Sequence, residues 1–330
     1  MRFLLDDEQR EFAQSLDALL KSADTPAVVR AWSNGDHGPG RALWGRLAEA
    51  GVFGLSVPGE HDGLGFLPVE LAVAFTELGR HAVPGPLVET VAAAALLDGL
   101  GDRHTTWLPG IASGKTVVTL SPPEDDSPYA LDADMADLVL VVTGDTLRAA
   151  GSTGPVQPSA DPARRLSRPT EGTVLAEGPQ VRRAAAHAAD VGRLATAAQA
   201  LGVGRTLLDR TVAHVRERHQ FGRPVGSFQA IKHRLADVLI SLAFTEPLVH
   251  AAALSLASAA GDSGRDIAAA KAAAGDTVHL AARTALQCHG AIGYTDELDL
   301  SLWIRKSRSL RTAWGTPSAC RVRVLTPFQG

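Results

Sequence analysis

Arg218-His219-Gln220-Phe221-Gly222-Arg223-Pro224-Val225-Gly226-Ser227-Phe228-Gln229-Ala230 is the stretch that decides how this chain is built. Before it, Leu194 to Glu217 sets Leu194, Leu201, Val203, Leu207, Leu208, Val212 and Val215 on one broad apolar face. After it, a second Ala/Leu-rich pattern begins near Phe228 or Gln229 and runs toward Ala260. A basic, aromatic Gly-Pro turn between two long helices is a place where a helical protein can hold an anion. Arg218 offers a planar fork of donors suited to a pyrophosphate, the next helix start offers free N–H groups, and an aromatic ring can face an adenine. A purely structural reading is also open, in which Arg218 caps the preceding carbonyls while Phe221 and Phe228 plug a four-helix core.

Outward from this joint, Pro247 predicts a kink or break in the second helix, and further helices are expected over 265–289 and 298–322. Toward the amino terminus the apolar spacing predicts a helix over 4–21, opened by Asp6 and Gln9 in capping-box register. A polar loop from Ser33 to Gly40 precedes a helix from Arg41 to Ala50, stopped by Gly51; Pro68 opens another to about Gly79, and Leu87 to Leu100 reads as a fourth. Near residue 105 the period changes: Thr116–Leu120, Leu138–Val142 and Thr173–Ala176 are short and β-branched, separated by Pro, Gly, Asp and Ser. The expectation is a mostly α fold in three parts: an amino-terminal helical domain (1–106), a reduced β-rich middle domain (107–182) and a carboxy-terminal four-helix bundle (183–330).

A second unusual run is Gln287-Cys288-His289-Gly290-Ala291-Ile292-Gly293-Tyr294-Thr295-Asp296-Glu297. Gly290 and Gly293 permit close backbone approach and the Gln287 amide can hydrogen-bond a phosphate or ribose, although a plain helix terminator with a Gly turn would look the same. Gly202-Val203-Gly204 follows a helical pattern instead of a strand and reads as helix packing. Arg305, Lys306, Arg308 and Arg311 read as a solvated basic face.

The net charge of −4 over 330 residues leaves no global field for nucleic acid, and 45% hydrophobic with 21% charged residues describes a folded globular protein. Cys288 and Cys320 are too few for a disulfide framework and lack metal-site spacing, so no metal is expected. The amino terminus turns acidic at once, without a signal-peptide pattern, and no apolar run is read as long enough to span a bilayer. A cytoplasmic location with no membrane partner is expected.

Together the two runs resemble the acyl-CoA dehydrogenase family. Its segment of the form Arg-x-x-Phe-Gly, followed seven residues later by Gln, contacts the adenosine diphosphate part of FAD, and Arg218, Phe221, Gly222 and Gln229 stand at those positions. Gln287 to Gly293 resembles the family's Gln-x-x-Gly-Gly-x-Gly, with Ala291 replacing the second Gly and narrowing the approach. Leu43-Trp44-Gly45-Arg46-Leu47-Ala48-Glu49-Ala50-Gly51, Val57-Pro58, Asp62-Gly63-Leu64-Gly65 and Glu77-Leu78-Gly79-Arg80 extend the resemblance, which covers about three quarters of the chain.

The resemblance implies FAD held by Arg218, Gln220, Phe221, Gln229, Gln287, Gly290 and Ala291, Arg193 near the substrate, and Glu297 as the base that takes the α-proton of an acyl-CoA thioester. Such a base needs a dry pocket to bring its pKa toward neutrality; a solvated acidic turn with Asp296, Asp299 and Arg305 is the other reading of Glu297. Flavin accepts the β-hydride, and an electron-transfer flavoprotein takes the electrons. Some relatives carry the base on the helix starting near residue 192, where this chain has Gly192.

The middle region departs from the family. Leu120-Ser121-Pro122-Pro123-Glu124-Asp125-Asp126 stands where a Thr-Glu-Pro-type loop is expected, Ala136 to Val142 follows with no room for several strands, and no Trp occurs between Trp107 and Trp303. The wall around the flavin ring is expected to be incomplete. This implies a chain that keeps the half gripping the adenosine diphosphate end and works with a full-length partner in a heterotetramer, as short actinobacterial members do, with one flavin per pair of chains. A homo-oligomer, or a non-catalytic structural subunit that completes a partner's FAD site, is the alternative.

Overall fold

The structure is a computed structural model, and it describes residues 5–101, 104–122 and 128–326; Leu4 and the Pro123–Asp126 part of the expected flavin loop lie outside them. The capping box expected at the start of the chain is formed. Gln9 N–H donates to Asp6 Oδ1 at 2.8 Å and Asp6 N–H donates to Gln9 Oε1 at 3.1 Å, opening α1 (Asp7–Lys21). α2 (Thr25–Ser33) has no counterpart in the sequence reading: it is short, carries Pro26 in its first turn, and is held by burial of Val28, Val29 and Trp32. α3 (Gly38–Glu49), the antiparallel pair β1 (Ser56–Val57) and β2 (Gly65–Phe66), α4 (Pro68–Arg80), α5 (Leu87–Asp98) and α6 (Leu108–Ala112) complete the amino-terminal layer.

The middle region holds more strands than expected: β3 (Val118–Ser121), β4 (Ala130–Leu131), β5 (Leu138–Thr143), β6 (Thr146–Ala150), β7 (Leu166–Ser167) and β8 (Gly172–Glu177). Their main sheet runs β3-β5-β6-β8, with β3 parallel to β5 and the rest antiparallel, while β4 pairs with β7. The space comes from a two-residue turn at Gly144-Asp145, which lets β6 fold straight back on β5 in Thr143↔Thr146 register. β6 reads Thr-Leu-Arg-Ala-Ala and lacks the β-branched run that marks its neighbours.

The carboxy-terminal part is α7 (Pro179–Glu217), β9 (His219–Gln220), β10 (Arg223–Pro224), α8 (Gln229–Ala257), α9 (Ser263–His289), α10 (Leu300–Thr312) and α11 (Pro317–Leu325). At 39 residues α7 is about 58 Å long. It is buried on every side from Val191 to Gly204 and packs against α4, α5, α9 and α10, which makes it the spine of the molecule. Gly202 is required by that packing: a Cβ there would lie 1.9 Å from the Thr76 carbonyl oxygen on α4. α8 runs through Pro247 unbroken, and the helix expected over 298–322 is divided where Trp314 and Gly315 take φ of +57° and +121°.

Two further expectations are corrected. Lys306 is not on a solvated face: it is 8% exposed and its Nζ donates to the Val83 carbonyl at 2.8 Å, while Arg305 and Arg311 pair with Asp296 and Asp276. α8 is, by length and composition, apolar enough to cross a bilayer; here Val238, Leu242, Val249, Ala252 and Ala253 pack it into the bundle.

Candidate functional site

The joint between α7 and α8 is a two-residue β-hairpin. β9 and β10 pair antiparallel with Gln220 opposite Arg223, leaving Phe221 and Gly222 as the turn, with φ of +52° and +77°. Positive φ at both central residues is what a type I′ turn demands, and Asn-Gly is its easy solution. Phenylalanine in that place is strained by about 1–2 kcal/mol. Its side chain is also 89% exposed, so it plugs no core. Phe228 lies below it, ring centroids 6.2 Å apart and edge-on, and the Arg223 guanidinium stacks over Phe228 at 4.0 Å. Arg218, Gln220 and Gln229 are exposed around this pair, and α8 opens at Phe228 without a side-chain cap on its first N–H groups.

The second run arrives at the same end of the bundle. His289, on the last turn of α9, stacks on His214 of α7 with centroids 4.0 Å apart. Arg234 of α8 lies close enough to Cys288 to hold down a thiol pKa that burial pushes up. Gln287, Gly290 and Ala291 are exposed beside them, and Gly290 turns the chain at φ +65° with nothing near the position its Cβ would take. Burial holds both imidazoles below the usual histidine range, with Arg218 a further cause at His214. The pair is therefore neutral near pH 7 and the positive charge of the joint comes from Arg216, Arg218, Arg223, Lys232 and Arg234, all exposed.

These residues fit the diphosphate and adenosine of FAD: guanidiniums and free helix N–H groups for the phosphates, an uncovered ring for the adenine, amides for the ribose. Arg223, Lys232 and Arg234 were not singled out from the sequence, since one-dimensional spacing does not bring α8 to the end of α9. Beyond the joint, α8 leaves Leu239, Ile240, Phe244 and Leu248 at 58%, 53%, 74% and 43% exposure, a continuous uncovered apolar face.

Glu297 stands apart from this group in chemistry. It is exposed, in the turn before α10, and no dry pocket surrounds it among the described residues, which corrects the environment expected of a base. Arg305 is engaged with Asp296 instead of Glu297. Arg193 is 7% exposed and donates to Asp190 at 2.9 Å; Arg323 of α11 reaches the same carboxylate at 3.0 Å, so the cluster ties α7 to α11. Gly192 is covered by an indole: a Cβ at that position would lie 2.4 Å from the Trp314 ring. Trp314 Nε1 donates to Glu89 Oε1 at 3.1 Å, and burial raises the pKa of that carboxyl. Neither Trp314 nor Glu89 was read from the sequence; the only signal was an aromatic beside Gly inside the run read as one helix over 298–322.

The family model described as "Acyl-CoA dehydrogenase, N-terminal domain" matches residues 6–115, and "Acyl-CoA dehydrogenase, C-terminal domain" matches 167–323. The chain is 31% identical over 316 residues to "Acyl-CoA dehydrogenase IpdE2" of Mycolicibacterium smegmatis, covering 95% of this chain and 96% of that protein. The ChsE4-ChsE5 complex of Mycobacterium tuberculosis contains a similar fold, at TM-score 0.86 and 22% identity over 99% of this chain and 100% of the other. The Tcur3481-Tcur3483 steroid acyl-CoA dehydrogenase variant follows at 0.85 and 24%, over 96% of each. With near-complete coverage of a relative above 30% identity, and the joint's residues assembled in space, this chain belongs to the acyl-CoA dehydrogenase family.

Proposed function

We propose that the chain is a subunit of an FAD-dependent acyl-CoA dehydrogenase that desaturates an acyl-CoA thioester at Cα–Cβ within a hetero-oligomer. The observation that carries this reading is Phe221, held uncovered at 89% exposure on a strained turn, which a lone folded chain has no reason to keep. Arg218 and the start of α8 would hold the diphosphate, Phe221 the adenine, and Gln220, Gln229 and Gln287 the ribose and phosphates. When bound, FAD supplies the hydride acceptor; electrons then pass to an electron-transfer flavoprotein. The uncovered apolar face of α8 supports a subunit contact. So do the two-component names of the ChsE4-ChsE5 and Tcur3481-Tcur3483 neighbours.

One set of observations favours a second reading, in which the chain completes a partner's FAD site without catalysing the reaction. Glu297 is solvated and Gly192 lies under Trp314, so neither location presents a desolvated carboxylate to a thioester. The experiment is co-expression with a full-length family member encoded nearby, followed by flavin counting. One FAD per pair of chains, falling when Arg218 is changed to Ala, supports the proposal; one FAD per chain in the isolated protein, reduced by an acyl-CoA, refutes it. Turnover by the pair that survives replacement of both Glu297 and Glu89 by Gln selects the second reading over the first.

A further inference from the structure

α1 packs against α4, and three side chains of metal-ligand type meet where they cross. Glu77 and His81 are one helical turn apart, so they share a face at the end of α4, and Asp17 of α1 reaches them across the contact. Each offers one ligand atom, and the three atoms lie within 4.8 Å of one another. His81 Nε2 and Asp17 Oδ1 are only 2.9 Å apart. The expectation of no metal rested on cysteine spacing, and these ligands come from helices whose contributing residues stand 64 positions apart.

Glu77 is the informative member. It is 7% exposed and its buried Oε2 accepts no hydrogen bond; Arg80 Nε stands 3.5 Å away as an ion pair without hydrogen-bond geometry. Burial is the first cause of its raised pKa, with Arg80 only partly opposing it. A buried carboxylate oxygen left in this state forfeits stabilisation that a cation placed against it would restore. Asp17 is better supplied, in a way that suits a ligand. Its Oδ2 accepts from Lys21 Nζ at 2.5 Å, which leaves Oδ1 turned to His81, as the outer partners of metal-bound carboxylates orient them. The Lys21 and Arg80 side chains are 66% and 35% exposed, so water screens their repulsion of an incoming ion. A cavity of about 380 Å³ opens at Asp17 and His81, giving an ion an entry path and room for water in its remaining positions.

We propose that Asp17, Glu77 and His81 form a binding site for a first-row divalent cation, best matched by Zn²⁺, that ties α1 to α4. One imidazole nitrogen and two carboxylate oxygens are ligands such ions take, at bonds of about 2.0–2.2 Å that bring the ligand atoms to roughly 3.3 Å from one another. The Asp17–His81 pair is already that close, so the main adjustment falls on the Glu77 side chain. The ion replaces the hydrogen bond between His81 Nε2 and Asp17 Oδ1, and the proton on Nε2 passes to Nδ1 or to water. The site needs neither flavin nor acyl-CoA.

The test uses the full chain, stripped with EDTA, and titration calorimetry with Zn²⁺, with Mg²⁺ as the control for charge alone. One Zn²⁺ per chain should bind with a Kd of ~10 µM or tighter and raise the urea midpoint, because an ion held between α1 and α4 favours the folded state. Glu77→Gln, nearly isosteric, should weaken binding by at least ~10-fold and abolish the midpoint shift. Asp17→Asn, at a half-buried position, should do the same and serves if the first variant does not fold. Weaker binding by the wild-type chain overturns the proposal and needs no variant. So does Zn²⁺ binding that leaves the urea midpoint unmoved or survives undiminished in a folded variant, which would mean an adventitious ion only. Mg²⁺ bound as well as Zn²⁺ would also overturn it, as plain attraction to acidic groups.

Discussion

Replacing Phe221 by Ala separates the ligand role of the hairpin joint from a structural one. The side chain is 89% exposed, so about a tenth of a ring, roughly 20 Å², leaves the fold, worth ~0.5 kcal/mol at 25 cal/mol per Å². Alanine keeps the same positive φ and the same strain, so the turn energy cancels. Stability should therefore change by less than about 1 kcal/mol. Stacking of a base on an aromatic ring is worth ~1–3 kcal/mol, which predicts a fall in FAD affinity of about 5- to 150-fold in the assembled protein. Urea unfolding of the chain and fluorescence titration of the apo-complex with FAD give the two numbers. A stability loss above ~2 kcal/mol would mean that the ring packs in the core, and unchanged FAD affinity would remove the joint from cofactor binding. Phe221→Gly, which relieves the strain as well, should match Ala in affinity while being no less stable.

Gly192→Ala drives a methyl to 2.4 Å from the Trp314 ring, and overpacking of this kind costs ~1–3 kcal/mol; an unaltered urea midpoint would show that the indole has another place to go. Asp132 is fully buried, accepts from Trp32 Nε1 at 3.0 Å, and its pKa is pushed up to about 8 by burial. It stays protonated in the folded chain while the unfolded chain ionises near 3.8, so its contribution to stability falls as pH rises from about 4 to about 8 and then levels off. Asp132→Asn should flatten that limb, measured as urea midpoints at several pH values; an unchanged slope would place the titration elsewhere. Glu297→Gln should leave both stability and turnover of the assembled enzyme unchanged, because the carboxylate is solvated. A fall in turnover of ~100-fold or more would mean that a partner dries the turn and makes Glu297 a base.

What the sequence reveals depends on whether the signal is local. The capping box at Asp6 and Gln9, Pro68 at the first turn of α4 and the β-branched run of β5 are local, and each is where the pattern puts it. α2 and β6 are held by what they pack against, so nothing in Thr25–Ser33 or Thr146–Ala150 announces them. At the hairpin joint, order along the chain revealed Arg218, Phe221 and Gln229, because the turn is continuous. Arg234 and the His214–His289 stack needed the bundle to bring three helices together. Lys306 shows the reverse error: a basic run looks solvated unless one knows that α10 turns it onto the Val83 carbonyl.

The Trp314 arrangement bears on where the proton chemistry of the assembled enzyme must lie. The indole sits in the break between α10 and α11, and Lys271 Nζ pins that break from beneath by donating to the carbonyls of Leu310, Arg311 and Gly315 at 3.2, 3.1 and 2.9 Å. Arg193 and Arg323, sharing Asp190, fix α7 against α11 on the other side. Moving Trp314 off Gly192 would therefore break the bond to Glu89 and leave a nearly fully buried carboxyl without that donor, a penalty of about 1–3 kcal/mol before any strain is counted. A cost of that size keeps the closed arrangement the dominant one in this chain. The hairpin joint, by contrast, is already open and needs only a ligand. This asymmetry favours the second reading, in which this chain grips the nucleotide and the desolvated base that removes the α-proton is the partner's.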